Sequence, residues 1–234
     1  MSETTNKPLS PAQLFETGFY LLIFPVILFA LSGDWLWPEA WIFSVIFISL
    51  CVLTVVYLYI NDPALLRERY RGAFQKEQKP WDKISLSVFI SLYFISYIIM
   101  PLDARRFHLS PDFPFWLESI GAVLLTASFL VIFEVFRENT FAAPVIKIQE
   151  ERHQKVISTG LYGTVRHPMY SGATMLFIGV PLLLGSVYGI IFGIAMTALL
   201  AARSVGEESV LRQELDGYEE YARRVRWRLI PYVF

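Results

Sequence analysis

Charged and polar side chains gather in two segments near the C-terminus, on either side of a long apolar run. Residues 138–170 precede this run and residues 203–228 follow it. In the second segment Arg203 and Glu207 are four residues apart, so they share one face of a helix. A planar guanidinium can orient a carboxylate through two donors, and a glutamate can hold an ammonium group. Taken alone, the pair indicates only an ordinary ion pair at a membrane surface.

The apolar run itself, residues 168–202, contains no charged residue. As a straight helix it would be about 52 Å long, whereas the hydrocarbon layer of a membrane is roughly 30 Å thick. Pro181 and Gly185 lie near its middle, where a proline removes a backbone donor and a glycine tolerates a turn. We therefore predict a helical hairpin; the alternative is one tilted, kinked helix. Gly185, Gly189 and Gly193 repeat every four residues and predict close helix contact on one face of its second arm.

The rest of the chain has the composition of a membrane protein. Apolar residues make up 55% of it and the mean hydropathy is +0.47. Each apolar segment is about as long as a membrane-spanning helix needs to be. The predicted fold class is an all-α integral membrane protein with four transmembrane helices, the C-terminal hairpin and an amphipathic helix within 206–226 on the cytosolic face. The four predicted spans are 14–33, 40–60, 84–102 and 115–136. We predict two regions, 1–137 with the N-terminal helices and 138–234 with the catalytic groups.

Basic residues indicate the orientation. With the hairpin, all of the 20 lysines and arginines except Arg105 and Arg106 fall on the side of both termini. This asymmetry predicts that the N- and C-termini are cytoplasmic. The net charge of -1 gives no sign of nucleic-acid binding. The single cysteine, Cys51, lies in an apolar run and indicates neither a disulfide nor a thiolate metal site, so we expect no metal.

The two polar segments together carry a specific pattern. It consists of Gly160-x-Tyr162, Arg166-His167-Pro168-x-Tyr170-x-Gly172, the apolar gap, Arg203-x3-Glu207-Glu208-x2-Leu211, Tyr218, Tyr221 and Arg228-Leu229-Ile230-Pro231. In order and spacing this pattern resembles the isoprenylcysteine carboxyl methyltransferase family over roughly residues 138–234, whereas the N-terminal half matches only as a set of membrane helices.

The resemblance implies a membrane methyltransferase that uses S-adenosylmethionine without a Rossmann fold. It implies that Arg203 binds the substrate carboxylate and that Arg203 and Glu207 form the catalytic pair. A family histidine upstream of Gly160 could correspond to His153 or to Gln154. The implied cofactor-binding residues are Gln149, Gln154, Lys155, Val156, Ile157, Gly160, Tyr162, His167, Pro168, Met169, Tyr170 and Glu207.

The acceptor is predicted to be lipophilic and to come from the membrane, with a prenylcysteine-type carboxylate as the leading hypothesis. The relatives of this family leave two other acceptors open, a phospholipid amine and a small thiol, and each must lose a proton to a base. A third hypothesis is a non-catalytic transporter or assembly factor. We interpret the charged loop 62–83 as solvated or in contact with lipid headgroups, and Glu134 as a structural partner of Arg137.

Overall fold

The computed structural model describes residues 11–76 and 78–234, with no account of the side chains of 11–16 and Tyr20. Residues 1–10, including the predicted cytoplasmic Lys7, lie outside the described part. Within it the chain is helical: α1 Pro11–Ser32, α2 Pro38–Asn61, α3 Pro63–Tyr70, α4 Pro80–Pro101, α5 Phe115–Glu138, α6 Pro168–Leu184, α7 Val187–Glu214 and α8 Tyr218–Arg224. A π-helical turn, Leu102–Arg106, extends α4, and 3-10 turns span Glu150–Arg152 and Gly160–Gly163.

Four helices of the described chain are long and apolar enough to cross a membrane: α2, α4 with its π-helical turn, α5 and α7. The shorter apolar helices α1 and α6 complete the set that the sequence predicts. Large apolar side chains such as Leu53, Ile84 and Val123 point outward and are more than half exposed, as contact with lipid requires. The predicted all-α membrane fold is confirmed, and the chain is an integral membrane protein.

The predicted hairpin is also confirmed. Helix α6 ends at Leu184, and Gly185 adopts a left-handed conformation (φ 74°) that a residue with a Cβ rarely takes. Ser186 then caps α7 by accepting a hydrogen bond from the Gly189 amide. The Ser186 hydroxyl donates to the buried Asp103 carboxylate at 2.6 Å, which fixes the turn to the end of α4. Gly185 therefore belongs to the turn and not, as predicted, to the contact face of the second arm.

Small residues let the two arms and α5 approach closely. A Cβ at Gly193 on α7 would overlap the backbone carbonyl of Phe177 on α6. Likewise, a Cβ at Gly121 on α5 would overlap the backbone of Leu183. In lipid, where water drives little association between helices, such close packing supplies much of the attraction. The packing holds both ends of the hairpin in register with α5.

The interpretation of loop 62–83 as solvated or in contact with lipid headgroups is wrong for part of the loop, although its basic side chains remain at least partly exposed. Residues 63–70 form α3, and the Glu68, Gln75, Gln78 and Asp82 side chains that follow or belong to it are buried. These polar groups satisfy one another and reach the helices around them, so burial does not leave them unpaired. The predicted C-terminal helix is divided, because Gly217 takes a left-handed conformation between α7 and α8.

Replacing Gly193 tests this packing. We expect Gly193→Ala to lower the free energy of unfolding by about 1–3 kcal/mol, because the added methyl group forces α6 and α7 apart. Gly18→Ala in α1 is the matched control, since a Cβ there meets no atom within 4 Å. Thermal unfolding of the purified protein in detergent checks both, and equal midpoints would contradict the close approach.

Candidate functional site

A cavity of about 860 Å³, including its open mouth, lies where the two polar segments meet. Its walls come from three parts of the chain: the loop between α5 and α6, the first turn of α6, and the end of α7 with α8. The apolar wall includes Val156, Leu211 and Leu215, while Glu207 supplies a carboxylate. The mixture of apolar and polar side chains is that of a small-molecule site.

Most of the predicted cofactor-binding residues line this cavity. They are Gln154, Lys155, Val156, Ile157, Tyr162, His167, Pro168, Met169, Tyr170 and Glu207. Gln149, Gly160 and Arg203 are not in the wall. Of the two candidates for the family histidine, Gln154 lines the cavity and His153 does not. The ligand-binding roles of all these residues stay predictions.

Gln149 and Gly160 shape the wall from behind it. The buried Gln149 side chain donates to the Phe141 carbonyl at 2.9 Å and accepts from Arg152 at 2.7 Å. Gly160 has a φ of 54° and lies against the Glu138 side chain, which leaves no room for a Cβ. It begins the 3-10 turn that carries Tyr162 into the cavity wall. Both positions are explained by loop geometry, so a direct contact with a ligand is not needed to account for them.

The predicted Arg203–Glu207 pair meets through a third side chain. The Tyr170 hydroxyl donates to Glu207 Oε2 at 2.7 Å and accepts from Arg203 Nη1 at 2.5 Å. The Tyr170 ring stacks on His167, with ring centroids 5.4 Å apart. His167 Nδ1 in turn lies 3.6 Å from Glu207 Oε2. Tyr170 thus joins the predicted substrate residue to the predicted cofactor residue.

Arg203 is only 8% exposed, and each of its nitrogens has an internal partner. Nε donates to Asp82 Oδ1 at 2.8 Å, and Nη2 donates to the Pro144 carbonyl at 3.2 Å. Asp82, from the first turn of α4, has no exposed surface. Asp82 is not among the predicted site residues, because the charges around it were expected to be solvated. An acid two residues before a predicted span was the signal that could have found it.

Glu208 is the centre of a second buried cluster. Its carboxylate accepts from Arg166 Nε at 2.7 Å and from Arg228 Nε at 3.1 Å, and His167 Nε2 lies 3.3 Å away. Arg166 also donates through Nη1 to backbone carbonyls at the end of α8 and just beyond it, including that of Val225 at 2.8 Å. Glu208 is not among the predicted site residues, although Glu208 and both of its arginine partners belong to the motif.

Backbone hydrogen bonds fasten the C-terminal tail to the start of α6. The Arg166 and His167 amides donate to the carbonyls of Trp227 and Arg228, at 2.9 and 2.8 Å. Next to them the Ser171 hydroxyl donates to the Leu229 carbonyl at 2.5 Å. The tail and α8 therefore close one side of the cavity.

Three tyrosines line the cavity, Tyr162 from the 3-10 turn and Tyr218 and Tyr221 from α8. Burial holds the pKa of Tyr162, Tyr218 and Tyr221 well above the ordinary value, so these phenols stay neutral. The Tyr221 hydroxyl donates to the Tyr162 carbonyl at 2.8 Å, and the Tyr162 hydroxyl accepts from Asn139. The buried Tyr218 hydroxyl has no hydrogen-bond partner within the described chain. A buried hydroxyl without a partner is uncommon, and Tyr218 belongs to the cavity wall.

Comparison with known proteins gives a family match over the part of the chain that supplies most of the cavity wall. A model of the phospholipid methyltransferase family matches residues 116–216, which cover α5 to α7. The Arabidopsis thaliana protein-S-isoprenylcysteine O-methyltransferase B is 29% identical over 47% of this chain and 57% of its own length. The mouse delta(14)-sterol reductase TM7SF2 is 31% identical over 35% of this chain and 20% of its own length.

Among solved structures, the eukaryotic intramembrane Ras methyltransferase ICMT aligns with a TM-score of 0.47 and 17% identity, over 95% of this chain and 86% of that chain. The matches to the two curated relatives span well under two thirds of their lengths. The predicted resemblance is confirmed: about half of the chain is similar in sequence to a protein-S-isoprenylcysteine O-methyltransferase, and the phospholipid methyltransferase model covers residues 116–216.

The Glu208 cluster predicts a large effect on stability. Glu208→Gln leaves Arg166 and Arg228 without their buried counter-charge, so we expect a loss of about 3 kcal/mol or more in the free energy of unfolding. Glu214→Gln is the matched control on the same helix, because Glu214 forms a half-exposed pair with Lys79 and should cost under about 1 kcal/mol.

Thermal unfolding in detergent measures both variants, and limited proteolysis reports whether the C-terminal tail is released. Equal midpoints, or a tail that stays protected in Glu208→Gln, would show that Glu208 does not hold the tail.

Proposed function

We propose that the protein transfers a methyl group from S-adenosylmethionine to a lipophilic acceptor at the membrane surface, with a prenylcysteine-type carboxylate as the acceptor. The cavity between the loop 139–157, α6 and α7 is the proposed cofactor site. The Arg203 side chain is the proposed partner of the acceptor carboxylate.

The observation that carries this proposal is that the Glu207 carboxylate lines the cavity without a lysine or arginine partner in the described chain. The Glu207 side chain is only a quarter exposed. The nearest arginine on its helix, Arg203, is already paired with Asp82. A carboxylate that is partly shielded from water and lacks a cation is a strong site for a ligand ammonium group.

The remaining cavity residues fit the other parts of the cofactor. The apolar side chains of Val156, Leu211 and Leu215 suit a flat base. The unpartnered Tyr218 hydroxyl suits a polar ligand atom. The aromatic faces in the wall favour a neighbouring cation such as a sulfonium. We propose that these residues together hold the cofactor.

When bound, S-adenosylmethionine supplies an electrophilic methyl group: a carboxylate oxygen bonds to the methyl carbon as the carbon–sulfur bond breaks, which gives an ester and a neutral thioether with no proton to move. The protein must therefore hold the acceptor in line and exclude water. A terminal carboxyl group, with an ordinary pKa near 3.5, is already ionised at neutral pH. Arg203 would orient it, and α8 with the tail would keep water out.

A lipophilic acceptor also fits the apolar surroundings. A second cavity, of about 420 Å³ including its open mouth, lies between α2, α4, α6 and α7 and is lined in part by Phe177 and Met196. Both residues are about two helical turns, roughly 10 Å, from Tyr170 and Arg203 on the same helices. An acceptor with its carboxylate at Arg203 could place its apolar chain there. We further propose that both chain termini are cytoplasmic, because the basic residues lie on their side.

A phospholipid amine is the second candidate acceptor, because the matching family model is that of phospholipid methyltransferases. An amine has to lose a proton, so this reaction requires a base near the acceptor. Glu207 and His167 are the cavity groups that could accept one. If Glu207 holds the cofactor ammonium, only His167 remains for this task, and its Nε2 faces Glu208. A carboxylate acceptor makes no such demand.

An acceptor panel separates these reactions. Purified protein with radiolabelled S-adenosylmethionine should give a base-labile ester with N-acetyl-S-farnesylcysteine. Stable label in phosphatidylethanolamine or in an alkyl thiol would replace the carboxylate hypothesis with the amine or thiol one. If the protein does not bind S-adenosylmethionine, methyl transfer is refuted and the hypothesis of a transporter or assembly factor takes its place.

Glu207→Gln tests the cofactor site. We expect affinity for S-adenosylhomocysteine, which keeps the ammonium group, to fall about 10- to 100-fold, as loss of a charge-assisted hydrogen bond implies. Glu214→Gln on the same helix should bind normally. Isothermal titration calorimetry measures both, and a Glu207→Gln affinity equal to wild type would remove the carboxylate from the site.

A further inference from the structure

Asp82 is the most deeply buried charged side chain around the cavity, although it does not line the cavity itself. It begins α4 and has no exposed surface, and it is 121 positions from Arg203 in the sequence. Oδ1 accepts from Arg203 Nε at 2.8 Å. Oδ2 accepts from Gln78 Nε2 at 2.7 Å and from the Ile146 amide at 3.1 Å. The carboxylate is therefore saturated by three donors from three different segments.

These bonds determine which edge of the Arg203 guanidinium faces the site. With Nε held by Asp82, the two Nη groups turn toward Tyr170 and the Pro144 carbonyl. A guanidinium is planar, so fixing Nε and one Nη fixes the whole plane. The Ile146 amide ties the same carboxylate to the cavity wall, because Ile146 lines it. The Asp82 carboxylate thus fixes the position of Arg203 and of the cavity wall at Ile146.

The ion pair of Asp82 with Arg203 also has no net charge. An unpaired guanidinium beside a carboxylate nucleophile would bind it tightly and reduce its reactivity. A paired one still donates hydrogen bonds but attracts the carboxylate less strongly. Orientation without strong attraction is what an in-line displacement on an ionised nucleophile requires.

We infer that Asp82 is a positioning residue for the acceptor side of the site, acting through Arg203; this inference rests on the proposed function. It adds the α3–α4 segment to the functional part of the molecule. The contacts continue beyond Asp82, because Gln78 Oε1 accepts a hydrogen bond from the Gln75 amide. Gln75 Oε1 in turn accepts from Lys147, which lines the cavity. Lys147 also forms an ion pair with Glu68 at 2.8 Å. Residues 62–83, which the sequence predicts to be a solvated loop, thus support the cavity wall through buried hydrogen bonds and an ion pair.

The test uses the full-length protein in detergent and the variant Asp82→Asn. The amide removes the charge, and its NH2 group must face either Arg203 Nε, which loses one hydrogen bond, or Gln78 Nε2 and the Ile146 amide, which loses two. We expect kcat/KM for N-acetyl-S-farnesylcysteine to fall at least about tenfold, and the Kd for S-adenosylhomocysteine to stay within about twofold. Equilibrium binding of the farnesylated acceptor gives a readout that does not depend on turnover. Asp82→Glu keeps the charge but displaces it by one methylene, so it should give an intermediate kcat/KM.

Asp103→Asn is the matched control. Asp103 follows the other end of the same helix, is 1% exposed and binds Ser110 and Ser186. We expect this variant to lower the unfolding midpoint without a selective loss of acceptor turnover. The inference is overturned if Asp103→Asn shows the same selective loss, or if acceptor kcat/KM is unchanged or improved in whichever Asp82 variant folds. An inactive wild type would instead refute the proposed function and this inference with it.

Discussion

The site depends on one physical constraint: a charge near the hydrocarbon layer must be paired inside the protein. Asp82–Arg203 and Glu208–Arg166 meet this requirement at 2.8 and 2.7 Å, and each pair joins segments far apart in the sequence. Moving a lone charge into such surroundings costs several kcal/mol, so either pair strongly penalises structures in which its partners separate. The two pairs therefore hold α4, α6, α7 and the C-terminal tail around the cavity.

Features with a local cause could be predicted from the sequence. The hairpin follows from an apolar run too long for one crossing, with Pro181 and Gly185 near its middle. The grouping of Tyr162, His167, Tyr170 and Glu207 follows from that hairpin, because it returns the second polar segment to the first. Composition and segment length were sufficient for the hairpin and for the meeting of the two polar segments, whereas the choice of these four residues came from the resemblance of the motif.

Features set by long-range pairing could not be predicted. Nothing local shows that Asp82, among many acids, is the partner of Arg203, or that Glu208 rather than Glu207 holds Arg166. The i, i+4 spacing suggested a direct Arg203–Glu207 ion pair, whereas each residue binds the Tyr170 hydroxyl. The bond from the Gln149 side chain to the Phe141 carbonyl of its own loop was likewise not predictable, and its role toward a ligand stays a prediction. The division of the chain at residue 137 stays a prediction, and Asp82 shows that the N-terminal half contributes to the surroundings of the cavity.

Glu207 and Glu208 are adjacent in sequence but differ in what surrounds them. Successive residues on a helix point about 100° apart, so one faces the cavity and the other faces the tail. Glu208 is saturated by arginines and holds the structure together. Glu207 receives one tyrosine hydroxyl and retains the capacity to bind a cation. Tyr170 and His167 contact Glu207, and His167 also reaches Glu208. The imidazole ring of His167 therefore lies between the carboxylate of the cavity wall and the carboxylate that binds Arg166 and Arg228, and it links the two clusters.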